Sequence, residues 1–593
     1  MSAVARRPAR TLERLGRMRA IVAFYLACAI ALGLAAHLFV IQIRNGSKLA
    51  TLARDEHLET NDLPAQRGAI EDRNGTVLAS SLPARSVYVA PAQIDDPART
   101  ARALAAQLPE LSYAQILAVL RSHAGYVQLA HKIPHDRARA LATLDLPGVT
   151  LVVDRTGLRF DPSGRLAPQV LGFTGFEDNG LDGAEYAFDS ILRGRPGTSE
   201  IETDEFGRAL PFARPRDLDP ARAGDSLVLT LDSYLQFNAD RILAATVAKW
   251  HARSGVAIVM DPESGAILAL SNEPSYDLRA FERSTPDERR DRAVADLYEP
   301  GSTFKLITAA AAIDSGKVQP QDRFPVRDTL ALGGYVIHNA EDGFMTGTAR
   351  AETLGDIIAY SHNVGAAEVA LRIGRRTFYD ELLRFGFDRA TGVGLPGDGP
   401  ALFPPLAAWS ATTAPTIAFG QGIAIAPLSL VRAYCAIANG GWLLRPRILD
   451  AILAPDGRLL YRYRREVVRR AISTHTAAIL RGYLRGVVVR GTGDPTARVP
   501  GYTTAGKTGT AQIAENGSYE SDAYVASFIG MIPAVQPRFV ILFAIFRPRG
   551  AIYGSEVAAP AFAQLARLAM LHAGIAPSPA RSVPKAAASK ASK

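Results

Sequence analysis

A stretch of 24 residues without a formal charge, Ala20 to Ile43, constrains this 593-residue chain more than any other feature. As a helix rising about 1.5 Å per residue it would extend roughly 36 Å, which is enough to cross a hydrocarbon layer of about 30 Å. A cluster of arginines within residues 1–19 precedes it, and such clusters stay in the cytoplasm. A cleaved signal peptide usually has an apolar region of only about 7–15 residues. The sequence therefore favours an uncleaved single-pass anchor, with the N-terminus in the cytoplasm and the chain after Arg44 outside the membrane.

The basic charge of the chain is confined to its two ends. The formal net charge is +9, of which residues 1–19 contribute +5 and residues 581–593 contribute +4. The body between them is formally neutral, so it gives no support to a phosphate-binding surface. We expect no nucleic-acid partner.

The cysteine content gives no support to a disulfide bond in the exported part of the chain. The chain has two cysteines, Cys28 inside the apolar stretch and Cys435 far beyond it. A disulfide between them is geometrically implausible, and they cannot build a cysteine-based metal cluster. An apolar content of 48% is typical of a globular protein with large cores. We expect a structure that is held together by packing, without a metal or cofactor.

The chain beyond the anchor divides into two regions by its pattern. Residues 58–223 are rich in Gly, Pro, Asp and Arg with short apolar runs, which favours a mixed α+β pedestal domain. Residues 225–572 have longer elements, including a hairpin around Asp261-Pro262 and the apolar strand Phe539 to Phe546. Strands at both ends with helices between them predict one sheet flanked by helices. Residues 574–593 are rich in Pro, Ala, Ser and Lys and are expected to be disordered.

The octapeptide YEPGSTFK, Tyr298 to Lys305, places a serine three residues before a lysine at a predicted helix start. Ser302 and Lys305 would share one helix face, where a lysine with a lowered pKa can take the proton of the serine hydroxyl. The pattern is weak alone, because Ser582 and Lys585 in the terminal tail have the same spacing without meaning. A capped helix with a solvated lysine is the ordinary interpretation of an isolated pair.

Two further motifs change that interpretation. The chain has one S-x-N tripeptide, Ser361-His362-Asn363, and one K-[ST]-G tripeptide, Lys507-Thr508-Gly509, which Thr510 follows. The order S-x-x-K, S-x-N, K-T-G is typical of penicillin-binding proteins and class A β-lactamases. The three motifs together predict a serine active site.

Each motif position has a chemical role in this hypothesis. Ser361 passes a proton between Lys305 and a leaving amine, and Asn363 holds Lys305 and the substrate amide by hydrogen bonds. Lys507 supplies positive charge for a substrate carboxylate, while Thr508 and Thr510 supply hydroxyl groups.

Three smaller expectations complete the predicted site. Gly509 leaves room for a substrate against the strand backbone. The backbone N–H groups of Ser302 and Thr510 are candidates for an oxyanion hole. The ring of His362 is expected to point away from the reaction, because its neighbours fill the motif.

With these motifs the chain resembles the class B penicillin-binding proteins, and most closely their division-specific FtsI type, often called the penicillin-binding protein 3 type. The resemblance extends from the anchor to about Leu571. Other segments that carry it are RGAIEDRNGTVLA (Arg67 to Ala79), GFTGFEDNGLDGAEYAFDSILRGRPG (Gly172 to Gly197, with Glu185), MDPESGAILAL, PSYD, TGVGLPGD and FGQG. Two segments depart from the family pattern: Arg159-Phe160-Asp161-Pro162 in place of a tyrosine-rich motif, and Tyr553-Gly554-Ser555 in place of Tyr-Gly-Gly.

The resemblance implies a membrane-anchored peptidoglycan D,D-transpeptidase with a dimerisation-type pedestal and a β-lactamase-like transpeptidase domain. In such an enzyme Ser302 attacks the D-Ala-D-Ala bond of a stem peptide, releases D-alanine and passes the acyl group to a neighbouring stem. β-Lactams mimic the donor and acylate the same serine. The resemblance also implies a periplasmic catalytic domain and partnership with an FtsW-type glycan polymerase and other division proteins.

Three alternatives stay open on the sequence. An elongation-type class B transpeptidase has the same chemistry. A β-lactamase also shares the motifs, but no E-x-x-L-N sequence for hydrolysis of the acyl-enzyme follows Ser361. A non-enzymatic β-lactam sensor is disfavoured by the complete set of motif residues.

Overall fold

The computed structural model describes residues 9–49, 58–63, 65–202, 216–339, 349–515 and 518–577. At its N-terminus a helix, Ala9–Phe39, continues into a π-helical turn, Val40–Arg44. The segment Arg14–Arg44 is long and apolar enough to cross a membrane, as the sequence predicted for residues 20–43. The predicted cytoplasmic tail lies outside the described residues over positions 1–8, and the predicted disordered tail lies outside them from position 578.

The remaining elements have the following bounds. The longer α-helices are Pro97–Gln107, Tyr113–Leu120, His135–Ala142, Ser233–Lys249, Lys305–Asp314, Leu354–Tyr360, Asn363–Ile373, Arg375–Arg384, Pro427–Ala438, Thr474–Arg490 and Ala559–His572. The short ones are Pro168–Leu171, Gly183–Ala187, Asp189–Leu192, Pro286–Arg289, Arg292–Ala295, Thr413–Ile417 and Gly554–Val557. Strands outside the central sheet are Leu58–Leu63, Ile70–Glu71, Val77–Val89, Val127–Pro134, Val149–Phe160, Gly197–Glu202, Arg216–Asp219, Ser226–Leu229, Arg323–Val326, Thr329–Leu332, Tyr335–His338, Arg350–Thr353, Trp442–Leu444, Leu449–Leu453, Leu459–Arg462 and Val467–Arg470.

The chain forms two compact units. The first consists of residues 1–65 and 195–222. Within it Gly197–Glu202 is the middle strand of a three-stranded sheet. The second unit consists of residues 66–194 and 223–593, and it contains all the elements considered below.

A seven-stranded sheet in the second unit is assembled from both regions that the sequence distinguished. Leu449–Leu453 pairs antiparallel with Ser226–Leu229, which runs parallel to Ile70–Glu71. Val77–Val89 continues the sheet through its pairing with Ile70–Glu71. The apolar side of Val77–Val89 contributes to a small separate core with the helices that follow it. This mixture of strands and helices agrees with the predicted α+β pedestal.

The central sheet of the second unit has five antiparallel strands, β1 (Ser254–Met260), β2 (Ile267–Glu273), β3 (Ala505–Glu515), β4 (Ser518–Ile532) and β5 (Phe539–Phe546), in the order β2-β1-β5-β4-β3. β1 and most of β5 are buried on both faces, which explains their uninterrupted apolar sequences. The hairpin and the apolar strand are confirmed, and so is one sheet built from distant parts of the chain. β3, which contains the K-T-G motif, lies at an edge of this sheet.

The helix Lys305–Asp314 lies in the middle of the core. Every side chain from Lys305 to Ile313 is buried. Because the helix includes four consecutive alanines, neighbouring elements can approach its backbone closely. The predicted helix start differs in one respect: residues Gly301–Phe304 form a tighter 3-10 turn before the α-helix begins. The hydroxyl of Tyr434 donates a 2.7 Å hydrogen bond to the carbonyl of Thr303 and fixes this turn.

A buried ion-pair cluster holds the first part of the second unit together. The carboxylate of Glu185, which is almost fully buried, lies 2.6 Å from Arg67 Nε and 2.6 Å from Arg159 Nη2. Arg67 also lies 2.7 Å from Asp189 Oδ1. These charges come from segments that are distant in sequence, so the cluster joins them.

Removal of Glu185 should destabilise this part of the protein strongly. Glu185→Gln leaves two buried guanidinium groups without their shared counter-charge, and we expect a loss of about 3–5 kcal/mol in the free energy of unfolding. Chemical denaturation of the ectodomain measures the loss. The matched control is Glu110→Gln, because Glu110 forms an exposed pair with Arg137 at 3.0 Å and should change stability by less than about 1 kcal/mol. Equal effects of the two substitutions would contradict the structural role of the cluster.

Candidate active site

Ser302 lies in the 3-10 turn that precedes the central helix. It is half-buried and lines a cavity of about 420 Å³. Residues from all three motifs line the same cavity, including Ser361, Asn363 and Thr508. The structure therefore brings together segments that are separated by more than 50 positions in the sequence.

Lys305, the first residue of the central helix, is completely buried with 0% of its surface exposed. Its Nζ lies 3.0 Å from Ser302 Oγ and 2.7 Å from Asn363 Oδ1, and it also contacts the backbone carbonyl of Ser361. Burial lowers the pKa of Lys305 well below its usual range, and the positive charge of Lys507 lowers it further. The surroundings of Lys305 thus favour its neutral form.

Ser361 lies between two lysines. Its Oγ is 3.3 Å from Lys305 Nζ and 2.8 Å from Lys507 Nζ. Ser361 caps the helix Leu354–Tyr360 in the left-handed conformation, with φ of 65° and ψ of 34°. A serine rarely adopts this conformation, which here allows the backbone carbonyl and the hydroxyl of Ser361 to contact Lys305 together.

Asn363 begins the next helix and is held from both sides. Its Oδ1 faces Lys305 Nζ, and its Nδ2 donates a 3.0 Å hydrogen bond to the carbonyl of His338. These two contacts settle the orientation of the amide group.

Lys507 lies on the edge strand β3 and is also completely buried. Burial lowers the pKa of Lys507 to about 7. Beside it, the hydroxyl of Thr508 lies 2.6 Å from the hydroxyl of Thr492. The site therefore contains a second lysine, Lys507, and the charge of Lys507 changes near neutral pH.

Gly509 and Thr510 continue β3 past the nucleophile. Thr510 lines the cavity, and its Oγ1 accepts a 3.3 Å hydrogen bond from the backbone N–H of Gly554. A Cβ on Gly509 would lie only 2.3 Å from Ser527 Oγ and 3.0 Å from Thr303 Cγ2. The expected reason for this glycine was room for a substrate, whereas the structure shows that the space is filled by the protein itself. Gly509 lets β3 pack against the turn that contains Ser302.

The ring of His362 is engaged away from the nucleophile, as expected. Its Nδ1 lies 2.7 Å from Glu352 Oε2, and both side chains are largely buried. Glu352 lies on the strand before the helix that ends at Ser361. This pair therefore connects that strand to the S-x-N motif.

Two residues that support the site were not predicted from the sequence. Thr492 contacts Thr508, and Glu352 contacts His362. Neither belongs to a motif, and their partners lie elsewhere in the chain, so the local sequence contains no signal for them. Of the eight predicted site residues, five line the cavity: Ser302, Ser361, Asn363, Thr508 and Thr510. Lys305 and Lys507 lie beneath it, where both contact Ser361, and Gly509 packs inside the protein.

Comparison with known protein families identifies both large regions. The family model for the penicillin-binding protein transpeptidase domain matches residues 255–567. The model for the penicillin-binding protein dimerisation domain matches residues 62–229. The chain therefore has both domain types that the resemblance implied.

Individual relatives cover most of the chain. Stage V sporulation protein D of Bacillus subtilis is 33% identical over 544 residues, which are 91% of this chain and 83% of that protein. Peptidoglycan D,D-transpeptidase FtsI of Escherichia coli is 31% identical over 551 residues, 91% of this chain and 88% of that protein. Among solved structures, penicillin-binding protein 3 of Mycobacterium tuberculosis in complex with ampicillin is 30% identical, covers 88% of this chain and 99% of that chain, and superimposes with a TM-score of 0.68. The chain therefore belongs to the class B penicillin-binding proteins and is a D,D-transpeptidase of that family.

Proposed function

We propose that the chain cross-links peptidoglycan stem peptides through an acyl-enzyme formed on Ser302. The observation that carries this proposal is the completely buried Lys305, 3.0 Å from the Ser302 hydroxyl. A serine hydroxyl needs a base at hydrogen-bond distance, and a lysine becomes a base only when its environment favours the neutral amine. Lys305 meets both conditions.

The hydrogen-bond partners of Lys305 are compatible with a neutral amine. A neutral amine has two N–H donors and one lone pair. The Asn363 amide oxygen and the Ser361 carbonyl oxygen can only accept, so they take both N–H groups. With Lys305 neutral, its lone pair is left for Ser302 Oγ, 3.0 Å away, and accepts the proton of that hydroxyl.

The acylation step follows from this arrangement. Ser302 Oγ attacks the carbonyl carbon of the penultimate D-alanine while its proton moves to Lys305. The C–N bond to the terminal D-alanine then breaks, and its nitrogen receives a proton through the hydroxyl of Ser361, which lies between Lys305 and Lys507. The backbone N–H groups of Ser302 and Thr510 stabilise the oxyanion.

The edge strand β3 supplies the binding groups. Charged Lys507, with the hydroxyls of Thr508 and Thr510, binds the terminal carboxylate of the donor stem. Asn363 binds the donor amide. A β-lactam presents a carboxylate and a reactive amide in a similar arrangement, and the relative from M. tuberculosis binds ampicillin. We therefore propose that β-lactams acylate Ser302.

We further propose that the enzyme acts in cell division as a single-pass protein of the cytoplasmic membrane. The helical segment Arg14–Arg44 would cross that membrane, with its arginine-rich side in the cytoplasm and the transpeptidase domain in the periplasm. The similarity to FtsI and to the pedestal sequences of the division type supports this role. An FtsW-type glycan polymerase and other division proteins would then be its partners.

Depletion in the native cell tests the division role. We expect filaments, because septal cross-linking fails while elongation continues. Round cells would contradict this role and favour the elongation-type alternative. Re-expression of the wild-type chain is the control that should restore normal length.

Labelling with a fluorescent penicillin tests the nucleophile. Ser302→Ala should abolish the adduct in the purified ectodomain, because the hydroxyl of Ser361, which also lies within 3.3 Å of Lys305 Nζ, is engaged by Lys507. Mass spectrometry of the wild-type protein should locate the adduct on Ser302. The exposed Ser410 provides the matched control, and Ser410→Ala should label normally. An adduct on another residue would overturn the proposal.

The pH dependence of acylation tests the two lysines. The second-order rate constant should rise with pH as Lys305 loses its proton at its lowered pKa, and fall with an apparent pKa of about 7 as Lys507 loses its charge. Lys507→Arg keeps a charged group at all these pH values, so the alkaline limb should move upward by more than about two pH units. Stopped-flow acylation with a chromogenic cephalosporin gives both profiles. An unchanged alkaline limb in Lys507→Arg would show that Lys507 does not set it.

A further inference from the structure

The catalytic cavity contains one acidic side chain that the proposed mechanism does not use. Among the described residues that line the cavity, Glu556 is the only carboxylate. It is exposed to solvent and has no ion-pair partner within the described part of the chain. Lys507, which the proposed mechanism uses as a positive charge, is buried beneath the same cavity and contacts its lining residue Ser361.

The position of Glu556 is fixed by close packing of its segment against β3. A Cβ on Gly554 would lie only 2.1 Å from the carbonyl oxygen of Ser527 and 2.6 Å from that of Gly509. The backbone N–H of Gly554 also donates a hydrogen bond to Thr510 Oγ1. The short helix Gly554–Val557 therefore begins in contact with the motif strand, and Glu556 lies in its first turn at the cavity wall.

Transpeptidation needs a second substrate, the acceptor, whose charge is opposite to that of the donor carboxylate. The acceptor is an amine, and most of it is an ammonium ion at neutral pH. Charged Lys507 beneath the cavity repels such an ion, while the exposed carboxylate of Glu556 at the wall attracts it. The donor needs a positive charge instead, since its carboxylate binds to Lys507.

We propose that Glu556 is the acceptor-binding residue, which holds the ammonium group of the second stem peptide before it attacks the acyl-enzyme. This inference rests on the proposed function of Ser302. The ammonium ion first releases one proton to solvent water. The amine nitrogen then forms a C–N bond with the acyl carbon, the C–Oγ bond of Ser302 breaks, and the second proton of the amine reaches Ser302 Oγ through Lys305. The products are an amide, a free serine hydroxyl and one solvated proton.

This assignment separates the two half-reactions. Acylation of Ser302 involves only the donor, so it should not depend on Glu556. Capture of the acyl group by a charged amine should depend on Glu556, and capture by water or by an uncharged nucleophile should not. A purely structural role would affect all of these reactions together.

Partition of an acyl-enzyme tests the proposal in the purified ectodomain. The donor is an N-acyl-D-alanyl thioester, and the acceptors are a stem-peptide mimic with a free side-chain ammonium group and hydroxylamine, which is uncharged at neutral pH. With Glu556→Gln we expect the acceptor KM for the charged amine to rise about fivefold, with unchanged hydroxylamine capture. High salt should remove most of the difference between Glu556→Gln and the wild type, because it screens an exposed charge.

Two further variants complete the experiment. Glu556→Asp keeps the charge and should restore most of the selectivity for the charged acceptor. Glu282→Gln removes an exposed carboxylate outside the cavity and should change nothing. An equal loss with both acceptors, or no change with either, would overturn the proposal. Failure of the wild type to form the Ser302 adduct would instead refute the proposed function, so the two failures are distinguishable.

Discussion

The burial of a lysine beside a serine is the constraint on which the rest of this site depends. An ammonium group without a carboxylate partner is costly to bury, so Lys305 is stabilised in its neutral form. Lys507 adds to this effect because both lysines contact the same hydroxyl, that of Ser361. In the proposed mechanism the two lysines therefore have different tasks, since Lys305 provides a base and Lys507 provides a positive charge.

The fold provides this environment by surrounding the start of the central helix. The helix Lys305–Asp314 is buried along its length, and the edge strand β3 packs against the preceding turn because Gly509 has no side chain. Ser361 contributes both its carbonyl and its hydroxyl from a left-handed conformation. Three segments that are far apart in sequence are thereby fixed around one amine, while Ser302 lines the cavity above it.

Much of this arrangement could be predicted from the sequence. The apolar anchor, the strands β1 and β5 and the motif residues are local patterns, and their order in the chain indicates the family. The supporting contacts of Thr492 and Glu352 could not be predicted, because each depends on a partner that only the fold brings near. Gly509 is a second example. Its place in the motif is visible in the sequence, whereas its packing against Ser527 and Thr303 is visible only in the structure.

The proposed mechanism requires Lys305 to be a neutral amine in the resting enzyme at neutral pH. The chain has only nine lysines, so NMR of protein labelled with ¹³C at the lysine Cε can resolve them individually. Lys305→Met identifies the signal of Lys305 by its disappearance. We expect this signal to have the chemical shift of a neutral amine at pH 7, whereas surface lysines have that of an ammonium group. A Lys305 signal in the ammonium position at pH 7 would refute the role of Lys305 as the base.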